Sequence, residues 1–411
     1  MKKLQPLVTL QNKNLRNLLT GRFLMVLAFR MLASLLGWWI YELTNDPLAI
    51  GAIGLSEVIP AVGCALYAGH VIDTNEKKML LIICAVAYIF LISLLLIPAF
   101  NIGHFFTTTR QVPYFIYSVI FFTGIARSFL GPMVPSMLPK LVPAKDLVNA
   151  VTLNQGTFLT SSVLGHMIGG LLIAAIDIKG TLVVIVSLLI CSLLTYLQLP
   201  KQYPEKQATS PDVLRSIKEG IYYIKNTKEV LGAMFLDMFA VLFGGAVAMV
   251  PIFAKDILNV GAQGYGLLNA AADIGSMIII VTLSFIPLKR NQGKILLIAV
   301  AGFGACIIGF GLSNWFWLSF FLLMLSGLLD GISVVIRGTI VQLKTPEHLR
   351  GRVMSVNTIF IMSSNEMGQF ESGVMAKLLG PVKSVVVGGT LTILTALTIG
   401  KLFKPLRKLE Y

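Results

Sequence analysis

The chain has little charge, few cysteines and almost no histidine. Of its 411 residues, 13% are Asp, Glu, Lys or Arg, 56% are hydrophobic, and the mean hydropathy is +0.82. A water-soluble fold of this size lacks the core to hide so much apolar surface, which leaves an integral membrane protein. Cys64, Cys84, Cys191 and Cys306 lie singly inside apolar stretches, without paired spacing or a neighbouring histidine cluster. Neither a disulfide framework nor a zinc site is indicated. Also missing are a Gly-x-x-x-x-Gly-Lys-Ser/Thr phosphate loop, a nucleophile elbow and metal-ligand spacing. Those absences argue against an enzyme, against a cofactor and against ATP as the energy source. Short alternating segments of the β-barrel type are absent too, because the apolar runs reach about twenty residues, the length of a membrane-crossing helix.

Twelve such runs are present: 21–43, 49–72, 79–100, 114–135, 147–176, 180–199, 231–253, 264–287, 295–312, 316–341, 353–379 and 384–403. The expected fold is therefore an all-α polytopic membrane protein with twelve transmembrane helices. Residues 1–199 would form one six-helix bundle, 229–411 a second pseudo-symmetric one, and 200–228 a cytoplasmic linker. Within the linker, Val213, Leu214, Ile217, Ile221 and Ile224 fall opposite Arg215, Lys218, Glu219 and Lys225, which predicts an amphipathic surface helix. No cleavable signal peptide is expected, since a basic N-terminus runs directly into the first span. Placing both termini in the cytoplasm puts most of the 33 Lys and Arg residues in inner segments of a plasma-membrane (inner-membrane) protein. Topology and attraction to anionic lipid headgroups then explain the net charge of +14, without a nucleic-acid partner.

The halves repeat. A shift of 203 residues places Gly124 on Gly327, Pro143 on Pro346, Asn154 on Asn357, Gly165 on Gly368 and Gly170 on Gly373. A parallel duplication of this kind is a transporter signature, with the substrate site near the membrane midplane.

Local motifs point the same way. Gly69-His-Val-Ile-Asp73-Thr-Asn-Glu-Lys77-Lys78 resembles the loop signature of the major facilitator superfamily, and Arg127-Ser-Phe-Leu-Gly131 resembles its Arg-x-x-x-Gly element. The stretches at 41–51 and 345–354 are similar to the drug and siderophore exporter branch of that family. The resemblance implies an alternating-access fold and assigns Arg127 to proton coupling. It also implies a gating loop: Asp73 would accept hydrogen bonds from the start of the eleventh helix near Val353 and pair with Arg350 or Arg352. The plainer alternative is that Lys77 and Lys78 set topology and Asp73 caps a turn.

Ionisable groups inside the spans carry the functional reading, because a charge in hydrocarbon is kept only where it pairs, meets water or moves something. They are Arg30, Glu57, Arg127, His166, Asp237, Asp273, Asp330, Arg337, Glu366 and Glu371. If the family arrangement holds, Glu57 lies near Glu371 and His166 near Asp273. Two neighbouring carboxylates cannot both ionise cheaply, which makes Glu57 with Glu371 a candidate proton-carrying site. His166 with Asp273 would close the outer side. Asp237 and Arg337 are expected to form an ion pair. Arg127 and Asp330 occupy matched places and could bridge. Arg30 could snorkel or offer Glu57 a counter-charge. The competing reading for all of these is polar helix packing. Trp38, Trp39 and Tyr41 are expected as an interfacial belt, and Phe121, Phe122 and Phe129 as lipid-facing or packing groups.

These observations predict a monomeric secondary transporter exporting a small amphiphilic or hydrophobic compound in exchange for protons. The alternatives are a carrier of lysophospholipid or a similar amphiphile and, from another class, a sensor or scaffold that binds without turnover.

Overall fold

The computed structural model describes residues 9–104, 110–203, 213–286, 288 and 290–410, with residues 66, 73, 104, 213–217, 246 and 348 described by backbone alone. Among the described residues every regular element is helical. The first half comprises α1 (Lys13–Thr44), α2 (Pro47–Thr74), α3 (Lys77–Leu94, continued by Leu96–Phe100), α4 (Gln111–Leu141) and α5 (Leu147–Leu197). The linker helix is α6 (Val213–Asn226). The second half comprises α7 (Lys228–Phe243), α8 (Gly261–Phe285), α9 (Gln292–Leu312), α10 (Phe316–Lys344), α11 (Glu347–Leu379) and α12 (Pro381–Leu402), with a terminal turn, α13 (Lys404–Arg407).

Among the described residues, ten helices have the length and hydropathy to cross a bilayer. One of them, Ala144–Leu197, is two spans in succession, because the backbone leaves the helical region at Ile176 and Asp177, the latter with φ of 59°. That break falls where the fifth and sixth runs separate. Helix α11 is too polar to qualify by hydropathy, yet its 33 residues extend about 50 Å, enough to cross. Counted this way, the described residues are consistent with twelve spans.

Three details differ from the sequence reading. The seventh span is interrupted: α7 stops at Gly244 and Gly245, and the chain continues through a 3-10 turn (Ala246–Met249), Val250–Ile252 and a π-turn (Phe253–Ile257). A Cβ at Gly244 would run into Phe303, and one at Gly245 would lie 2.8 Å from Ser372 Oγ, so the two glycines let α9 and α11 press against the break. Next, α11 begins at Glu347 rather than near Val353, so Arg350 and Arg352 belong to its first turns and not to a loop. Finally, Trp39 and Tyr41 are buried, 5% and 6% exposed, and are packing groups rather than a belt. Phe121 and Phe122 are exposed as expected.

The chain divides into two compact units, Met1–Leu43 with Ser56–Ala208, and Thr44–Leu55 with Thr209–Tyr411. The start of α2 thus clusters with the second unit. There Gly51 lies against the backbone of Gln369 and Phe370, and Lys377 Nζ donates to Asp46 Oδ2 at 2.6 Å. Helix α6 also joins the second unit, burying Ile224 beside Val230, Val353 and Val356, while Ile221 stays 49% exposed. The apolar face expected at Val213, Leu214 and Ile217 lies outside the described side chains.

Lipid tails compete equally for apolar side chains, so helices in a bilayer associate through close backbone contact at small residues. On α9 and α12, a Cβ added to Gly304 would sit 2.7 Å from the Gly389 carbonyl oxygen, and one added to Gly389 would sit 2.7 Å from that of Gly304. In the first unit Gly165 of α5 meets the Leu27 carbonyl of α1 in the same manner. The duplication is visible here too. Gly124 of α4 admits the Glu57 carbonyl of α2, and its repeat mate Gly327 of α10 admits the Ala272 carbonyl of α8.

Candidate functional site

Each unit sets an arginine against carboxylate. In the first, Arg127 of α4 donates through Nη1 to Glu57 Oε1 of α2. Gly124, one turn before Arg127, lets the Glu57 backbone approach, so the close helix contact and the charge pair share one face of α4. The Glu57 side chain is 17% exposed and that of Arg127 41%, so the pair is accessible from its guanidinium side. Pro60 has no N–H and frees the Ser56 carbonyl from the helical ladder immediately beside the pair. Glu57 therefore takes its counter-charge from Arg127, and Arg30 points to the ring of Phe158 instead.

In the second unit Arg337 of α10 reaches Asp237 of α7, the ion pair expected from the sequence, and its Nη2 lies 3.8 Å from Asp330 Oδ1, two turns earlier on the same helix. Arg337 and Asp237 are nearly buried, whereas Asp330 is 43% exposed. The result is one guanidinium between two carboxylates, with the second open to approach. Arg127 and Asp330, which occupy matched places in the repeat, each have a partner within their own half.

The remaining ionisable groups lie on α1, α5, α8 and α11. His166 Nδ1 lies 2.8 Å from Ser34 Oγ of α1. On α11, Gln369 Nε2 donates to Glu366 Oε2 at 3.1 Å, and Glu371 is half-buried. Asp273 is half-buried on α8.

The loop signature has a structural role in the first unit. Lys77 is 8% exposed and donates through Nζ to the Ser136 carbonyl of α4 at 3.1 Å, while its backbone N–H donates to Gln202 O. Lys77 thus ties α3 to the last two turns of α4. Lys78 is half-buried, and a side chain at Gly69 would meet open space. The Asp73 side chain lies outside the described residues. Arg352 is bound to Glu219 of α6, and Tyr223 of α6 donates to the Lys344 carbonyl, so the basic start of α11 anchors the linker helix; Arg350 is exposed.

Sequence reasoning missed two features. Asp46 with Lys377 escaped because both lie at span ends, where charge is ordinary. Arg22 escaped for the same reason, at the very start of the first run. Its Nη1 donates to Asn154 Oδ1 at 2.6 Å, and its guanidinium shares the Phe158 ring with Arg30. The signal that could have found it is a second arginine eight residues before Arg30 on one apolar helix.

Long apolar helices in two units that repeat one another, with ion pairs among the spans, fit a polytopic membrane transporter. The chain belongs to the Major Facilitator Superfamily, whose profile matches residues 18–369, and is accordingly a secondary transporter rather than an enzyme. It is 23% identical over 402 residues to the Enterobactin exporter EntS of Citrobacter koseri, a match covering 96% of this chain and 92% of that protein. It is 24% identical over 379 residues to the same exporter of an Escherichia coli strain, covering 91% and 88%. Among solved structures, a mutant of the nucleoside transporter NupG superposes with a TM-score of 0.77 at 16% identity, over 95% of this chain and 99% of that one. A D-xylose-proton symporter superposes with a TM-score of 0.71 at 14% identity, over 98% of each.

Proposed function

We propose that the chain exports a small amphiphilic or hydrophobic compound by alternating access, in exchange for protons. The observation that carries this reading is the Glu57–Arg127 pair, a carboxylate and a guanidinium facing each other inside the membrane with the arginine open on one side. Protonating Glu57 removes the attraction that holds Arg127, and an incoming charged group competes for the same guanidinium. Either event changes which contacts the first unit can make, which is what coupling requires: a ligand shifts a conformational equilibrium only through its different interaction with the two states.

Asp330 beside Arg337 offers a second carboxylate with the same logic in the other half. The relatives named as exporters support the outward direction and an inner-membrane location. In the transport cycle, Glu57 would meet Glu371, His166 would meet Asp273, and Arg127 would bridge to Asp330 in states where those groups face each other. The distribution of basic residues supports placing both termini in the cytoplasm. Uphill flux in reconstituted vesicles under an imposed pH gradient, parent beside Glu57→Gln, tests the reading. Flux that ignores the gradient rejects proton exchange.

A further inference from the structure

Two arginines of α1 differ from those paired elsewhere in the fold. Arg127, Arg337 and Arg352 each contact a carboxylate. Arg22 and Arg30 do not: among the described residues, no Asp or Glu oxygen lies within 4.0 Å of either guanidinium. What surrounds them is polar but neutral, or aromatic. Asn154 of α5, only 4% exposed, accepts from Arg22 through its side-chain oxygen at 2.6 Å. The Cζ atoms of Arg22 and Arg30 each stand 5.7 Å from the centroid of the Phe158 ring, one turn further along α5.

The two cations therefore lie within twice that distance of each other. The position of Arg30 is fixed from behind, because Gly165 of α5 has no side chain and admits Arg30 Cβ and the Leu27 carbonyl. Both arginines are half-buried, so each keeps an accessible side.

This arrangement is electrostatically incomplete. A cation–π contact offsets only part of what an unpaired cation costs inside a span, where Arg30 lies, and the neighbouring Arg22 cation repels it. An anion between or beside them would supply the missing charge. Guanidinium forks match the two oxygens of a carboxylate or phosphate, and the Phe158 ring supplies an apolar wall.

We propose that Arg22, Arg30, Asn154 and Phe158 form the recognition site for the anionic group of the cargo, a carboxylate or phosphate on an aromatic or apolar body. The inference rests on the transport reading and narrows its substrate class. The positive site is built from one half of the chain.

The test is calorimetric titration of the purified full-length protein in neutral detergent with 2-naphthoate and with its uncharged counterpart 2-naphthamide. The parent is expected to bind naphthoate at least about tenfold more tightly than naphthamide. Arg22→Gln and Arg30→Gln should each weaken naphthoate binding by about ten- to a hundredfold, whereas Arg30→Lys, which keeps the charge but loses the fork, should weaken it less than Arg30→Gln does. Size-exclusion profiles identify any variant that has not folded, and Arg30→Lys then carries the comparison with the parent.

A parent that does not bind naphthoate, or does not distinguish it from naphthamide, overturns the proposal, as do glutamine variants with parental affinity. If added phosphatidylglycerol abolishes naphthoate binding and excess naphthoate cannot restore it, the site holds a lipid headgroup and the cargo assignment fails. Gradient-driven dye flux by the parent separates the two levels: flux without naphthoate binding sinks this inference alone, and no flux of any compound sinks the transport reading as well.

Discussion

Arg337 shows how a charge survives in an apolar helix. It has Asp237 on one side and Asp330 on the other, and its side chain is only 12% exposed. Removing one partner of a buried pair leaves an uncompensated charge in low dielectric, which costs about 3–5 kcal/mol. Asp237→Asn should therefore lower the stability of the detergent-solubilised protein by about that amount, read from thermal or denaturant unfolding, while Asp330→Asn, at the longer contact and more exposed, should cost much less. Equal losses in both variants would mean that Asp237 is not the main counter-charge. The oddness of Glu57, Arg127, Asp237 and Arg337 was legible in the sequence because each interrupts an apolar run. The partnership of Glu57 with Arg127 was not, because 70 residues separate them and nothing in one chain's text reveals which helix faces touch. Lys77 belongs to the gating-loop resemblance, with a topology signal as the alternative. A basic residue at a span end reads as a topology signal, and only the fold shows its ammonium turned inward to the Ser136 carbonyl.

Helix ends and glycines decide the architecture. Gly304 and Gly389 allow α9 and α12 to meet backbone to backbone. Gly304→Leu should force them apart and reduce folded yield and melting temperature sharply, whereas Gly156→Leu, where a side chain meets open space, should be tolerated. Similar yields for the two would remove close glycine packing as the cause of the α9–α12 contact. The linker helix gives a second test. Glu219→Arg or Arg352→Glu alone should loosen α6 and raise its amide hydrogen exchange, and the double exchange should restore protection. Failure of the double variant to recover would mean that Tyr223 and Ile224, not the ion pair, hold α6.

Hydropathy located the twelve runs because a bilayer demands about twenty apolar residues per crossing, and it located the bend at Ile176 and Asp177 because polarity rises there. It could not see the interruption at Gly244 and Gly245, since small apolar residues count the same whether the backbone is helical or not. The early start of α11 was hidden for the converse reason: Glu347 to Arg352 are too polar for lipid, and a helix continuing past the membrane looks like a loop to any hydropathy rule.

At the scale of the whole molecule, the 203-residue repeat has a physical counterpart, because matched glycines on α4 and α10 receive carbonyls from α2 and α8 in their respective halves. Each half also places an arginine on its fourth span, though at different depths, and binds it to carboxylate. Duplication thus explains the scaffold, while the divergence of its charges gives the two halves different chemistry. The central claim is that these membrane-embedded charges couple proton movement to export. Its most direct test is transport in proteoliposomes under an imposed pH gradient, across a panel of dyes, siderophores and lysolipids, with Glu57→Gln and Arg127→Ala beside the parent. The account predicts uphill export by the parent when the outer face is acidic, and loss of at least about tenfold of that gradient-driven flux in both variants. Variants that match the parent at every pH would contradict it.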